Sequence, residues 1–317
     1  MPSQMSEQSP RDITFRNFSN QQASDYATGR LGYSKALVDG ILDFHQSTGG
    51  QNGIVLDVGC GPGIATRILA PHFDVAYGAD PGQSMIDKAQ ELGGQTRING
   101  PIVYELSSAE TIDQMEHVST ASVDMITAAT AAHWFDMPRF WVAAAKLLKP
   151  GGTVAIWTSF RQTASDKQRT KMQSIFDEFR DSLSTYATAG THVVQNGYAD
   201  LVLPWDNPDT ASLYNRQAFI RQELSAKAGL LSDPPTDDTT KDESLEDQLQ
   251  KLERLVLTLG SVHRWQKANP ESTGTENDCV KILLRKVRET AQETGESLDM
   301  SILADQMAIA LILVKRM

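Results

Sequence analysis

The stretch Val55-Leu56-Asp57-Val58-Gly59-Cys60-Gly61-Pro62-Gly63 constrains this chain more than any other. An apolar strand pattern runs into three glycines, and a helix pattern at Ile64, Ile68 and Leu69 follows at once. A strand–glycine–helix turn in an α/β sheet places backbone N–H groups and a helix N-terminus beside a ligand. The glycines permit positive φ and a close approach of backbone to that ligand. A dinucleotide fingerprint requires GxGxxG, and Ile64 stands where its third glycine belongs, so a pyrophosphate fits poorly. Asp57 adds negative charge near the loop, which suits an ammonium or sulfonium better than phosphates. A second apolar run, Val75 to Ala79, ends at Asp80, 17 residues beyond Gly63. That is about where a ribose-binding carboxylate is expected.

Short apolar runs near 53–59, 74–80, 101–107, 123–130 and 153–160 alternate with helical patterns, and a helix over Tyr33 to Gln46 precedes the first. This alternation predicts an α/β fold, a doubly wound and mainly parallel sheet covered on both faces. After Phe160 the rhythm changes. Lys167 to Leu183 reads as an amphipathic helix, with Met172, Ile175, Phe176 and Phe179 on one side. Residues 191–234 are irregular around Leu203-Pro204-Trp205, with a strand or short helix near 212–221. Ser232 to Asp247 is acidic and almost without apolar residues, the pattern of a solvent loop. Helices are expected at 245–267 and 277–293, and a final strand over Ala308 to Val314. The expected organisation is a loosely ordered segment 1–20, an α/β core 21–160, a mainly helical cap 161–300 and a last strand within 301–317.

With 29 basic and 40 acidic residues the net charge is −11, which argues against a nucleic-acid partner. No apolar run reaches the length of a membrane span. Residues 1–20 lack the apolar stretch of a secretory signal, and two cysteines build no disulfide framework. Metal-ligand spacing, a P-loop and a nucleophile elbow are all missing. The expectation is a soluble, acidic, cytoplasmic enzyme with a small-molecule substrate and neither nucleic-acid nor membrane partner. Its oligomeric state is not readable.

"LDVGCGPG" at 56–63 resembles the first motif of the class I S-adenosylmethionine-dependent methyltransferases. Ile102 to Glu110 is similar to that family's third strand and adenine-contacting turn. Val123 to Ala129 looks like its fourth strand, and Leu147 to Trp157 like the turn and strand after its fourth helix. His133-Trp134-Phe135-Asp136, together with Tyr26, Arg30 and Tyr33, resembles the trans-aconitate methyltransferase group and its fungal natural-product relatives. The resemblance implies a Rossmann-like, seven-stranded sheet with the last strand, Ala308 to Val314, as an antiparallel partner at its edge, a helical cap, and S-adenosylmethionine as cofactor.

It also implies roles. Asp57, Gly59, Gly61 and Gly63 would belong to the cofactor loop, Asp80 would take both ribose hydroxyls, and Ser108 and Ala109 would meet the adenine edge. Met85 would cover the adenine ring or else be plain helix core. Tyr26 and Arg30 would close over the methionine end, Arg30 pairing its carboxylate; a solvated Arg30 is the other reading. Leu31 replaces the proline usual after this arginine, so the local turn is expected to differ.

His133 follows the fourth strand at its carboxyl end, where open α/β sheets bind ligands. It has the ordinary pKa of a general base, yet substrate positioning or a structural role is favoured. A carboxylate acceptor is already ionised at neutral pH and needs no base, whereas a phenol or alcohol does. Trp134 would wall the substrate pocket or cap the core. His263 and Arg264 would pair a substrate carboxylate or stand solvated on a helix face. Leu259, Gly260 and Val262 depart from the relatives' Trp, Ser and aromatic residues, which implies a reshaped, more apolar pocket. The expected activity is O-methylation of a carboxylate or hydroxyl on a small molecule, either a trans-aconitate-like acid or, slightly favoured by those departures, a bulkier secondary metabolite. The alternatives are N-, C- or S-methylation, or a protein that binds S-adenosylmethionine without turnover.

Overall fold

A computed structural model describes residues 14–30, 32–161, 170–225, 244–295, 298 and 307–317. In chain order the elements are α1 (Asn20–Gly29), α2 (Lys35–Ser47), β1 (Ile54–Val58), α3 (Ile64–Leu69), β2 (Val75–Asp80), α4 (Gln83–Leu92), β3 (Val103–Leu106), β4 (Val123–Ala129), α5 (Met137–Leu147) and β5 (Leu148–Arg161). There follow α6 (Lys171–Ser182), α7 (Ala189–Gln195), α8 (Pro208–Ala211), β6 (Tyr214–Ser225), α9 (Leu245–Val256), α10 (Gly260–Ala268), α11 (Cys279–Thr294) and β7 (Met307–Arg316). The strands form one seven-stranded sheet in the order β3-β2-β1-β4-β5-β7-β6. Strands β1 to β5 are parallel, and β7 runs antiparallel to both β5 and β6. This is the doubly wound, Rossmann-like architecture expected. The order reverses between β1 and β4, so their carboxyl ends open the crevice in which such sheets bind ligands.

Central strands covered on both faces read as unbroken apolar runs. In β4 the residues Val123 to Ala128 are all buried. Leu56, Ile126 and Ile156 point to one face, where Phe140, Trp141 and Ala144 of α5 cover them. Val55, Met125, Ala155 and Trp157 point to the other, against Leu37 and Ile41 of α2 and Leu69 of α3. The helices beyond β5 share a separate core, in which Met172, Leu252, Val256, Leu283 and Val287 meet.

The structure corrects four expectations. The last strand is not the sheet edge: β6, from within the expected cap, pairs along its outer side. The helix expected over 245–267 is two, α9 and α10, because Leu259 is extended (φ −81°, ψ 126°) and the Thr258 hydroxyl bonds back to the Leu255 carbonyl at 2.6 Å. Residues 245–247 of the acidic stretch form the first turn of α9, capped by Ser244, with Glu246 and Asp247 at the positive end of the helix dipole. The N-terminal segment is ordered from Thr14 onward: a 3-10 turn at Phe15–Asn17 leads into α1 through a reciprocal Ser19–Gln22 capping box. Residues 1–13, Leu31, Lys167 to Arg169, 232–243 and 301–306 lie outside the described residues.

At the amino edge of the sheet, His45 is fully buried. Lys315 Nζ donates to Thr153 Oγ1 at 3.1 Å, so that hydroxyl turns its own proton to His45 Nδ1, 2.7 Å away. Nε2–H then donates to the Gln51 carbonyl at 2.8 Å. Burial, with the Lys315 charge adding to it, lowers the pKa of His45. The folded chain therefore keeps His45 neutral, while the unfolded chain protonates it below about 6.5. Stability should be insensitive to this group above that pH and fall as pH drops below it. Melting temperatures between pH 8 and pH 5 should fall more steeply for the wild type than for His45→Gln; parallel curves would contradict this.

Candidate active site

The backbone of the glycine loop is fixed before any ligand is considered. Gly59 and Cys60 donate their N–H groups to the Ala79 carbonyl at 2.8 and 3.0 Å, which hangs the loop on the end of β2. Gly59 has φ +66°, and a Cβ there would stand 2.5 Å from Ala131 Cβ. Gly61 has φ +53°, lines a cleft, and a side chain on it would meet nothing within 4 Å. A substituent at Gly61 would therefore project into open space on the cleft side.

Asp80 closes the far side of the loop. Its Oδ2 accepts from the Gly61 N–H at 2.9 Å and its Oδ1 from the Gly82 N–H at 2.8 Å. Burial pushes its pKa up, and those two N–H groups pull it back. Each oxygen keeps a further lone pair, so the carboxylate can still accept from a diol.

The cleft encloses ≈ 260 Å³ at the carboxyl ends of β1 and β4. It brings together Tyr26, Arg30, Gly59, Gly61, Asp80 and Met85 with Ala109, His133, Trp134 and Arg264. Met85 both lines the cleft and packs with Phe18 and Ala23. Four expected residues are not in the wall. Asp57 is fully buried behind it, its Oδ2 accepting from the Thr66 hydroxyl at 2.6 Å and its Oδ1 from Thr127 at 2.7 Å. Burial pushes its pKa up to about 6. Gly63 caps α3 with φ +79°, and a Cβ there would collide with the Tyr104 hydroxyl at 2.5 Å, so it serves packing. Ser108 bonds Thr111 at 3.0 Å in a separate shallow depression beside Pro81 and Glu105. His263 packs edge-on to Phe18, ring centroids 4.6 Å apart, and its Nε2 is buried with no hydrogen-bond partner among the described residues. Of the three departures in the cap, Leu259 and Gly260 line the cleft, whereas Val262 is buried in the core of the cap helices.

Arg30 and Arg264 bring positive charge to the cleft that Asp80 lines. The Arg30 guanidinium sits 5.8 Å from the Tyr26 ring centroid, with Nη1 3.5 Å from Thr258 Oγ1. Arg264 is held by its Nε, which donates to the Tyr186 carbonyl at 2.7 Å. His133 places Nδ1 2.9 Å from the Tyr198 hydroxyl. Burial, then the Arg30 charge, push the His133 pKa down to about 3, so the ring is neutral at physiological pH.

Phe15, Arg16 and Tyr198 are among the lining or supporting residues that escaped the sequence. Phe15 packs edge-on against Trp134 and Tyr26, ring centroids 5.7 Å apart in both pairs, and its neighbour Arg16 also borders the cleft. The signal was present: Phe18 and Ala23 bracket the Ser19–Gln22 box as a hydrophobic staple, which announces an ordered helix entry. Tyr198 arrives from the turn after α7, and nothing local in the sequence aims it at His133.

A half-buried carboxylate with spare acceptors, a glycine wall and an arginine in the same cleft fit a molecule that carries a ribose diol and an amino-acid carboxylate. Residues 56–156, about a third of the chain, match the model of the methyltransferase domain. Over 138 residues the chain is 30% identical to the protein named probable S-adenosylmethionine-dependent methyltransferase CRG1 of Saccharomyces cerevisiae, covering 44% of this chain and 45% of that one. Over 168 residues it is 27% identical to methyltransferase pgmE of Aspergillus terreus, covering 52% and 50%. The chain thus spans about half the length of these curated relatives. A solved structure from Anaeromyxobacter dehalogenans, described as a "putative type II methyltransferase", superposes over 90% of this chain and 96% of that one with TM-score 0.52 at 20% identity, a likeness of fold. Residues 56–156 thus match a methyltransferase domain, set in a sheet of the class I, Rossmann-like fold, and the cofactor that this match implies is S-adenosylmethionine.

Proposed function

We propose that the whole chain is an O-methyltransferase that methylates a carboxylate or hydroxyl of a small organic molecule. The observation that carries this reading is the neutral, half-buried His133 beside Trp134, in the same cleft as Arg30 and the glycine loop. Residues 21–160 act as the cofactor core, with the helices beyond Phe160 and the N-terminal turn closing over it. Asp80 takes the ribose hydroxyls, Gly59, Gly61, Met85 and Ala109 shape the nucleoside end, and Tyr26 with Arg30 holds the methionine end. Bound there, S-adenosylmethionine supplies an electrophilic methyl on a sulfonium. The protein's task is to align an acceptor oxygen with it and exclude water.

The acceptor reading follows from charge and shape. Arg264 recognises an acidic group through charge-assisted bonds. The aromatic wall of Phe15, Trp134 and Tyr26 suits a substrate with an apolar body. Leu259 and Gly260 widen that apolar character, which favours a secondary metabolite bearing an acid over trans-aconitate itself. The net charge of −11 disfavours nucleic acid. No helix among the described residues is long and apolar enough to cross a membrane, and a cytoplasmic setting accords with that.

Incubation with methyl-labelled S-adenosylmethionine and a panel of trans-aconitate, isopropylmalate, phenols and natural-product acids tests the reading. Base-labile, volatile label in an acid is the expected result and identifies a methyl ester. Base-stable label would move the chemistry to an ether or to N- or C-methylation. Tight cofactor binding without transfer to any extract component would overturn catalysis. Separately, Asp80→Ala should weaken S-adenosylmethionine binding by roughly 1.5–3 kcal/mol, about tenfold to a hundredfold by calorimetric titration. An unchanged affinity would remove Asp80 from the cofactor site.

A further inference from the structure

We propose that Tyr198 is a positioning residue that holds His133 in the tautomer protonated on Nε2, so that His133 presents the methyl acceptor with a hydrogen-bond donor and not a base. The tautomer stands on the geometry; its use in catalysis rests on the methyltransferase reading above.

Tyr198 is built into its position at some conformational expense. It and Gly197 are consecutive left-handed residues, φ +59° and +56°, a conformation that a tyrosine rarely adopts. The turn is held by Gly197 N–H to the Val194 carbonyl at 2.8 Å and Tyr198 N–H to the Val193 carbonyl at 3.0 Å. From the sheet edge, Arg221 Nη2 donates to the Gly197 carbonyl at 2.9 Å. The ring is 1% exposed, and its hydroxyl lies 2.9 Å from His133 Nδ1.

The direction of that hydrogen bond follows from the chemistry of the two neutral partners. A phenol O–H is a far stronger acid than an imidazole N–H, and the bare imidazole nitrogen is a far better base than a phenol oxygen. A phenol has one proton to give. That proton goes to the imidazole nitrogen at 2.9 Å. Nδ1 is then the acceptor, and the ring proton sits on Nε2.

The surroundings also oppose a second proton. Arg30, from the end of α1, is the charged side chain whose field reaches the imidazole, and it disfavours a cation there. Tyr33 stays a neutral phenol, its pKa raised by burial to about 12, and Tyr198 is raised further by the same cause. The carboxylates of the cleft, Asp80 and Glu110, come from β2 and the segment after β3. Nε2–H can therefore orient an acceptor oxygen but cannot take its proton. The acceptor that matches is already anionic, a carboxylate: its oxygen bonds to the methyl carbon, the carbon–sulfur bond breaks with its electron pair going to sulfur, and no proton moves.

Tautomer-sensitive ¹H–¹⁵N correlation spectra of the full chain labelled with ¹⁵N-histidine test this, His133 being assigned by its loss in His133→Gln. The wild type should show His133 as the Nε2–H tautomer, unchanged from pH 8 to pH 5. In Tyr198→Phe, which keeps the ring and removes the hydroxyl, the single tautomer should give way to a mixture. A Nδ1–H tautomer or an imidazolium at pH 6 in the wild type would overturn the proposal, and so would an unaltered tautomer in Tyr198→Phe. The wild-type spectrum decides even if the variant fails to fold. Neither acceptor nor cofactor is needed, so this result and the methyl-transfer assay fail independently.

Discussion

The buried carboxylate of Asp57 ties together the three elements that make the site. It sits on β1 and accepts hydroxyl protons from Thr66 on α3 and Thr127 on β4. Those elements flank the point where the strand order reverses, so their spacing sets the width of the crevice. Two hydrogen bonds to a charged acceptor stabilise it, yet burial still outweighs them and lifts its pKa to about 6. The arrangement therefore costs stability at neutral pH, and what it provides is orientation. Asp57 also lies close enough to Asp80 for the two carboxylates to oppose each other's ionisation. A cationic ligand nearby relieves that opposition, which links the brace behind the loop to the charge of what the loop holds.

The cleft holds charge of both signs. Asp80, with Asp57 behind it, brings negative charge, and Arg16, Arg30 and Arg264 bring positive charge. In a partly desolvated cleft such charges act more strongly than they would in water. A molecule with a neutral nucleoside, a sulfonium centre and a carboxylate at its far end complements that field. Burial first, and then the Arg30 charge, disfavour a cation at His133, which is why the histidine read from the sequence as a possible base is a neutral ring in the structure.

What was legible in the sequence is what depends on neighbours close in the chain. The strand–glycine–helix run, Asp80 at the end of β2 and the alternation that builds β1 to β5 are all local patterns. Asp57 was legible as a charge near the loop but not as a buried acceptor, because its partner Thr127 comes from 70 residues away. The split between α9 and α10 was hidden for a similar reason. The apolar period runs on through Leu257 and Leu259, while the packing that meets the break comes from α1. There Gly29 lies so close that a Cβ would stand 2.4 Å from the Arg254 carbonyl. That break is also why adjacent residues of α10 part company: Arg264 borders the cleft, whereas His263 turns beneath Phe18.

The same break gives physical meaning to the departures of this chain from its resembled relatives. Val262 is fully buried among the cap helices, so its change alters packing there and leaves the cleft wall as it is. Gly260 is different. A Cβ on it would stand 3.0 Å from Arg264 Nη1 and 3.4 Å from the Phe15 ring. A serine at that position would press on both the arginine and the aromatic lid residue. The glycine gives Arg264 room to lie across the end of the cleft, with Nε on the Tyr186 carbonyl and its terminal nitrogens 3.5 Å from Thr14 and Thr191. It equally lets Phe15 settle against Trp134. One missing side chain at the start of α10 thus shapes both the arginine and the aromatic part of this cleft wall, and Leu259 beside it adds apolar surface.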